Sequence, residues 1–377
     1  MNLTRDARVA IVGAGPGGLA CARVLQLHGR SVTVFERETS PDARSQGGSL
    51  DLHPDTGQAA LRAAGVLDRF HELARPEGQE WRALDHATAA ALEQQWPPGD
   101  EGAGVEDRPE IDRGHLRGLL LDSLAPGTVR WGRAVGSVLP LGDGTGRLVF
   151  ADGATEDFDL VVGADGAWSR VRPAVSDALP RYTGVTFVEA GFDDSDVRHP
   201  GLARLVGPGT MVAKNGSTGL FAQRNSNGHI RVYLAFRAPQ DWHTVAGLDL
   251  GDKAATRAYL SEMLDGWDEG LRYAMLGADS DFAHRPLFAL PVPHVWDHVP
   301  GVTLLGDAAH LMPPLGVGVN HALLDGTDLA QALIAQEDTD DAVRAYEGLM
   351  LPRSAELAKR CAEGLHHLIP PVAADGQ

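Results

Sequence analysis

Glycines at positions 13, 15 and 18, followed by an acid at position 36, are the residues whose types and spacing first suggest chemistry, and that chemistry is the holding of a pyrophosphate. Gly13 permits a tight turn, Gly15 lets backbone approach a phosphate, and Gly18 lets a helix pack closely on a strand. Glu36 stands about twenty residues on, where a carboxylate accepts ribose hydroxyls. The elements around them agree. Val9 to Val12 reads as a buried strand, and Leu19, Val24, Leu25 and Leu27 form the apolar face of a helix that ends at Gly29. A second strand, Val32 to Phe35, delivers Glu36. The helix N-terminus turns free N–H groups and a partial positive charge toward the phosphates, so an adenine dinucleotide is the implied ligand.

Two later stretches repeat the design of a buried strand that releases a polar residue into a glycine-flanked loop. Leu160-Val161-Val162-Gly163 runs into Ala164-Asp165-Gly166, and Val302 to Leu305 runs into Gly306-Asp307-Ala308-Ala309-His310. In an open parallel sheet such loops converge at the carboxyl edge, where ligands bind. Asp165 and Asp307 could instead cap the turns that follow them. His310 is read as fixing its loop rather than as a general base.

Between Tyr182 and Phe236 the hydrophobic period changes to two, which predicts an antiparallel sheet in a second domain. Thr128 to Phe158 reads as hairpins, and Asp112 as the cap of a helix carrying Leu116, Leu119, Leu120 and Leu124. Val343 to Leu368 reads as helical with a break at Pro352. Trp81, Trp96 and Trp242 are read as core or domain-contact residues, and His366-His367 as a solvated helix end. The predicted division is a dinucleotide-binding domain in three parts (1–75, 105–180 and 287–341), an excursion at 76–104, a second domain at 181–286, and a C-terminal helical segment at 342–377. The fold class is α/β: a Rossmann-like dinucleotide-binding domain, an antiparallel-sheet domain and a C-terminal helix.

Composition bounds the rest. A chain of 377 residues with a net charge of −18 is repelled by nucleic acid and by anionic membranes, so neither is expected as a partner. The apolar run near the start is only a strand long, and no signal peptide or membrane span is expected. Two cysteines, Cys21 and Cys361, fit packing in a reducing cytoplasm. No metal-ligand spacing is present.

With these motifs in order, the sequence resembles the FAD-dependent aromatic hydroxylases, the class A flavoprotein monooxygenases. Within them it is most similar to the tetracycline-inactivating enzymes, through Gly47 to His53, Pro109 to Arg113 with Leu116-Arg117, and Gly306 to Pro314. The resemblance implies that the three-part Rossmann-like domain is the FAD-binding domain and the 181–286 antiparallel-sheet domain the substrate domain, that Glu36 binds the FAD ribose with Arg37 among the cofactor-binding residues, that Asp51 and Arg117 contact the flavin, and that Asp165 and Asp307 face the cofactor. It implies that Pro314, Gly318 and Asn320 belong to a loop over the flavin pyrimidine edge, and that Arg44 serves NADPH. Val317 stands between Gly316 and Gly318 where the family usually has Gln or Glu. On the substrate sheet, Phe221 matches a pocket aromatic, whereas Glu189, Thr210 and Arg231 replace a glutamine, an arginine and a histidine. The implied function is a monomeric, NADPH-consuming monooxygenase that uses O2, through a flavin C4a-hydroperoxide, to hydroxylate a polycyclic or phenolic substrate. Tetracyclines are the foremost candidate; alternatives are another aromatic polyketide or a flavoprotein that binds a ligand without turnover. Flavin-dependent halogenation predicts a Trp-x-Trp segment, which the sequence lacks.

Overall fold

The computed structural model describes residues 7–43, 47–93 and 108–371. The chain divides into two compact units: Met1–Ala74 with Arg113–Arg181 and Phe288–Ala362, and Arg75–Asp112 with Tyr182–Leu287 and Glu363–Gln377. Residues 108–112 group with the second unit.

The first unit is built on a five-stranded sheet. Its all-apolar strand Val9–Val12 is flanked by Leu160–Gly163 and Val32–Phe35, all parallel, with Val302–Leu304 beyond the former and Val129–Arg130 beyond the latter. Such continuous apolar runs fit strands covered on both faces. In register, Val12 lies beside Gly163 and Phe35, and Gly163 beside Leu304. Because all five strands are parallel, the chain leaves each of them at the same edge, and the loops that follow converge there.

The helices Pro16–Leu27 and Gly318–Ala335 meet backbone to backbone. A Cβ on Gly326 would lie 2.2 Å from the Gly17 carbonyl oxygen, and one on Gly17 would lie 2.4 Å from that of Ala322. The expected hairpins form the antiparallel sheet of Val135–Pro140, Gly146–Phe150 and Thr155–Phe158.

Two local expectations are corrected. Pro352 does not break the last helix, which runs unbroken from Thr339 to Leu368. Tyr346, Met350, Ser354, Ala358 and Cys361 are buried along one side of it, and that burial outweighs the hydrogen bond the proline cannot make. Asp112 spends its carboxylate on Arg75 and the Ser226 N–H rather than on a helix end. Cys21 and Cys361 are free and buried. Trp242 is buried, Trp81 is 40% exposed, and Trp96 lies outside the described residues.

The second unit holds a six-stranded sheet in the order Ala283–Ala289, Arg181–Phe192, Ile230–Arg237, Thr218–Arg224, Thr210–Asn215, Trp81–Asp85. The Trp81–Asp85 edge pairs in parallel with its neighbour. One face of the sheet presents Val188, Ala190, Phe192, Met211, Leu220, Ile230, Val232 and Leu234 to a core completed by Trp242, Leu260, Trp267 and Leu271. Because strand side chains alternate, the residues between them share the opposite face.

Candidate functional site

In the first unit the glycine loop has the conformation its sequence implies. Gly13 has φ +108°, and a Cβ there would lie 2.4 Å from the Ala164 carbonyl oxygen; one on Gly18 would lie 2.5 Å from the Gly13 oxygen. Gly15 differs. A Cβ on it would meet nothing nearer than 4.0 Å, so the space beside its backbone is open. Gly15 is also the N-cap of the following helix and supplies no capping side chain, which leaves first-turn N–H groups for an anion. An open turn at Gly15, helical N–H groups and adjoining carboxylates are a donor and acceptor set that fits the pyrophosphate and ribose of FAD.

Glu36 is buried at the end of its strand, with Oε2 accepting from the Ala14 N–H at 2.8 Å and Oε1 from the Glu38 N–H at 3.0 Å. Arg117 is buried beside it. Its Nε donates to the Ala14 carbonyl (2.9 Å), Nη1 to the Pro41 carbonyl (2.9 Å) and Nη2 to Glu38 (3.0 Å). The structure thus brings Arg117 against the glycine loop, with each of its three nitrogens bonded to a protein group. Arg37 is exposed next to Glu36, and Arg44 lies outside the described residues.

Asp165 ends its loop in a turn of its own: Oδ1 accepts from the Ser169 hydroxyl and Oδ2 from the Arg170 N–H, both at 2.6 Å. Burial pushes its carboxyl above the ordinary range, while these two donors pull it down. The Asp307 carboxylate is exposed at the first residue of the short helix Asp307–His310, in a position to receive a hydroxyl donor. Sequence reasoning assigned nothing to Arg172. It is buried and joins the two loops, donating through Nε to the Ala308 carbonyl (2.8 Å) and through Nη2 to the carbonyls of Ala167 (2.8 Å) and Asp307 (3.1 Å).

His310 fixes its loop, through a partner not foreseen. Its Nε2 lies 2.5 Å from Asp325 Oδ2, which also accepts the Gly306 N–H, and Asp325 Oδ1 accepts from Arg353. Burial disfavours the imidazolium, but the Asp325 charge and hydrogen bond outweigh it and hold the His310 pKa above its usual value.

Asn320 is fully buried, and its side chain serves as a clamp. Nδ2 donates to the carbonyls of Asp51 (2.9 Å) and Gly316 (3.3 Å), and Oδ1 accepts from the N–H groups of His53 (2.8 Å) and Gly57 (3.2 Å). The 313–318 loop is thereby tied to the turn after Ser49–Asp51. Asp51 itself pairs with His53 at 2.9 Å. Pro314 is exposed in that loop, and Gly318 opens the next helix with no atom within 4 Å of a Cβ.

In the second unit, the face opposite the core carries the expected substrate residues in register. Gly191, Arg231, Gln223, Thr210 and Trp81 form one row across the sheet, and Glu189, Tyr233, Phe221, Val212 and Ala83 the next. Phe187 stacks near-parallel on Phe221, with ring centroids 6.2 Å apart. Thr210 Oγ1 and Arg231 Nε are buried and have no hydrogen-bond partner.

A parallel sheet whose carboxyl edge gathers this open glycine turn, Glu36, Asp165 and Asp307 defines an FAD-binding unit. The chain matches the FAD binding domain family over residues 6–241 and 298–360, and belongs to that family of FAD-dependent aromatic monooxygenases. It is 32% identical to Monooxygenase asqM of Emericella nidulans, over 87% of this chain and 84% of that protein. It is likewise 32% identical to the 3-amino-4-hydroxybenzoate 2-monooxygenase of Streptomyces cremeus, over 96% of this chain and 88% of that protein. Among solved structures, the tetracycline destructase Tet(55) superposes with a TM-score of 0.73 at 20% identity, covering 98% of this chain and 93% of its own, a likeness of fold. Among the described residues, no helix is long and apolar enough to cross a membrane.

Proposed function

We propose that the protein is a monomeric, cytoplasmic monooxygenase that consumes NADPH and O2 and hydroxylates a phenolic or polycyclic aromatic substrate. When bound, FAD supplies the redox and oxygen chemistry. The chain supplies position and electrostatics. The Gly13–Gly18 turn and the helix it opens take the pyrophosphate, Glu36 the ribose, and Asp307 a hydroxyl of the cofactor chain. Arg172, Asp325 and Asn320 hold the loops that carry these groups, so little reorganisation accompanies binding. The observation that carries the reading is the convergence of three loops on one sheet edge, in a chain whose second unit has a sheet face lined by Phe187, Phe221 and Tyr233.

Tetracyclines are the first substrates to test, beside anthracyclines and simple phenols. Support for them is the resemblance around the cofactor motifs and the shared fold of Tet(55). Support for hydroxylated benzoates is the similarity to the Streptomyces cremeus enzyme. The experiment is a panel of these compounds screened for ligand-dependent NADPH consumption, with the product weighed. One member should accelerate oxidation and return heavier by one oxygen atom. A protein that takes up no FAD, or that takes it up and oxidises NADPH indifferently to every ligand, refutes the proposal.

A further inference from the structure

Glu189 and Arg231 do not form a closed pair. Glu189 Oε1 accepts from Arg231 Nη1 at 2.5 Å, and Oε2 accepts from Arg285 Nε at 2.8 Å. Both carboxylate oxygens are thus used on two guanidiniums, and the group keeps one net positive charge. Each arginine has five N–H donors, of which Glu189 takes a small part. Arg231 Nε is buried and has no partner at all. Arg231 and Glu189 are 15% and 16% exposed, which makes an uncompensated charge costly, whereas Arg285 is 55% exposed and open to a ligand. Beside the triad lie rings: Tyr233 is opposite Glu189 in register, and Phe187 packs on both Tyr233 and Phe221.

We propose that Arg231, Glu189 and Arg285 form an anion clamp that selects an aromatic substrate bearing one negatively charged oxyanion group on its ring system. Resting on the monooxygenase reading, this names the class of substrate that reading leaves open. Glu189 spaces the two guanidiniums and cancels one of their charges, and the substrate oxyanion cancels the other. The ring lies against Phe187, Phe221 and Tyr233, which recognise its π-face without regard to charge. Discrimination follows from the clamp: a neutral amide fills the same volume and still accepts a hydrogen bond, but it leaves the net positive charge beside the partly buried Arg231 and Glu189 uncompensated.

The test uses the FAD-loaded protein and calorimetric titration of matched pairs: 3-amino-4-hydroxybenzoate against its amide, and 3-hydroxy-2-naphthoate against its amide. 4-Nitrophenol, titrated above and below its own pKa, distinguishes a phenolate from a carboxylate. At least one anion should bind ten times more tightly than its neutral counterpart. Arg285→Gln should remove most of that difference by weakening the anion far more than its neutral counterpart. Binding of only the nitrophenolate assigns the anion to the phenol and sustains the clamp. Equal affinities within every pair, a variant that weakens both members alike, or no anion bound at 10-millimolar scale would overturn it. Anion binding without NADPH consumption would sink the monooxygenase reading and leave the clamp standing. The converse, turnover indifferent to charge, would sink the clamp alone.

Discussion

Replacing Gly326 with alanine tests whether the backbone contact between two helices sets the cofactor loop. The new Cβ would lie 2.2 Å from the Gly17 carbonyl oxygen, 3.1 Å from its carbon and 3.2 Å from the Cys21 nitrogen. A carbon-to-oxygen contact needs about 3.3 Å, so the helices must separate by roughly 1 Å. All three obstacles are backbone, which cannot swing aside as a side chain can. Overpacking of this kind costs about 1–3 kcal/mol, and rigid obstacles place it near the upper end. Alanine's better helix propensity returns about 1 kcal/mol, for a net loss of about 2 kcal/mol. The displacement also reaches Gly17 next to the open turn at Gly15, and Asp325, which holds Gly306. FAD affinity should therefore fall about tenfold, equivalent to ~1.4 kcal/mol. The assay is urea unfolding together with FAD titration. Gly118→Ala is the control: it lies within the helix Arg113–Asp122 with no atom within 4 Å of a Cβ, and should gain up to about 1 kcal/mol. A Gly326→Ala protein that unfolds at the parent's urea concentration and binds FAD as tightly refutes the reasoning.

Three further expectations concern single side chains. Asp307→Ala should weaken FAD binding by about 1.5–3 kcal/mol, the worth of a hydrogen bond to a charged group, and an unchanged dissociation constant would remove Asp307 from the site. Arg44→Ala should raise the apparent KM for NADPH while FAD content stays constant; equal KM values would exclude it. His321 gives a pH dependence. Burial lowers its pKa from 6.5 to about 4, with nearby positive groups such as His310 adding to the effect and Asp325 opposing it. Between those values the unfolded chain binds a proton that the folded chain refuses, so the stability owed to the neutral ring is full above about pH 6.5 and is lost as pH falls toward 4. The loss is about 1–3 kcal/mol after screening by solvent, and His321→Gln should flatten it in urea melts across that range; parallel profiles for the two proteins would contradict the assignment.

The parts of this molecule legible in the sequence are those whose signal is local. Gly13, Gly15, Gly18 and Glu36 are set by one strand-loop-helix-strand unit, and Asp165 and Asp307 each follow an apolar strand directly, so their convergence needs only the rule that parallel strands end at one edge. Groups that act across long sequence separations left no such mark. Asp325 reaches back 19 residues to Gly306, Arg172 reaches 136 to Ala308, and Asn320 joins its loop to His53 across 267. In sequence each is an ordinary polar residue in or beside a helix. Pro352 shows the complementary failure, a strong local breaker overruled by burial along the helix that contains it. The substrate face combines the two cases. Glu189 and Arg231 are visible as a pair of opposite charges on alternating strands, but Arg285, 96 residues from Glu189, changes what the pair means. Glu189 and Arg231 alone would balance; with Arg285 the three leave one positive charge against a row of rings. In the proposed clamp this residual charge would decide which ring substituent is accepted, a property that Glu189 and Arg231 alone would not confer.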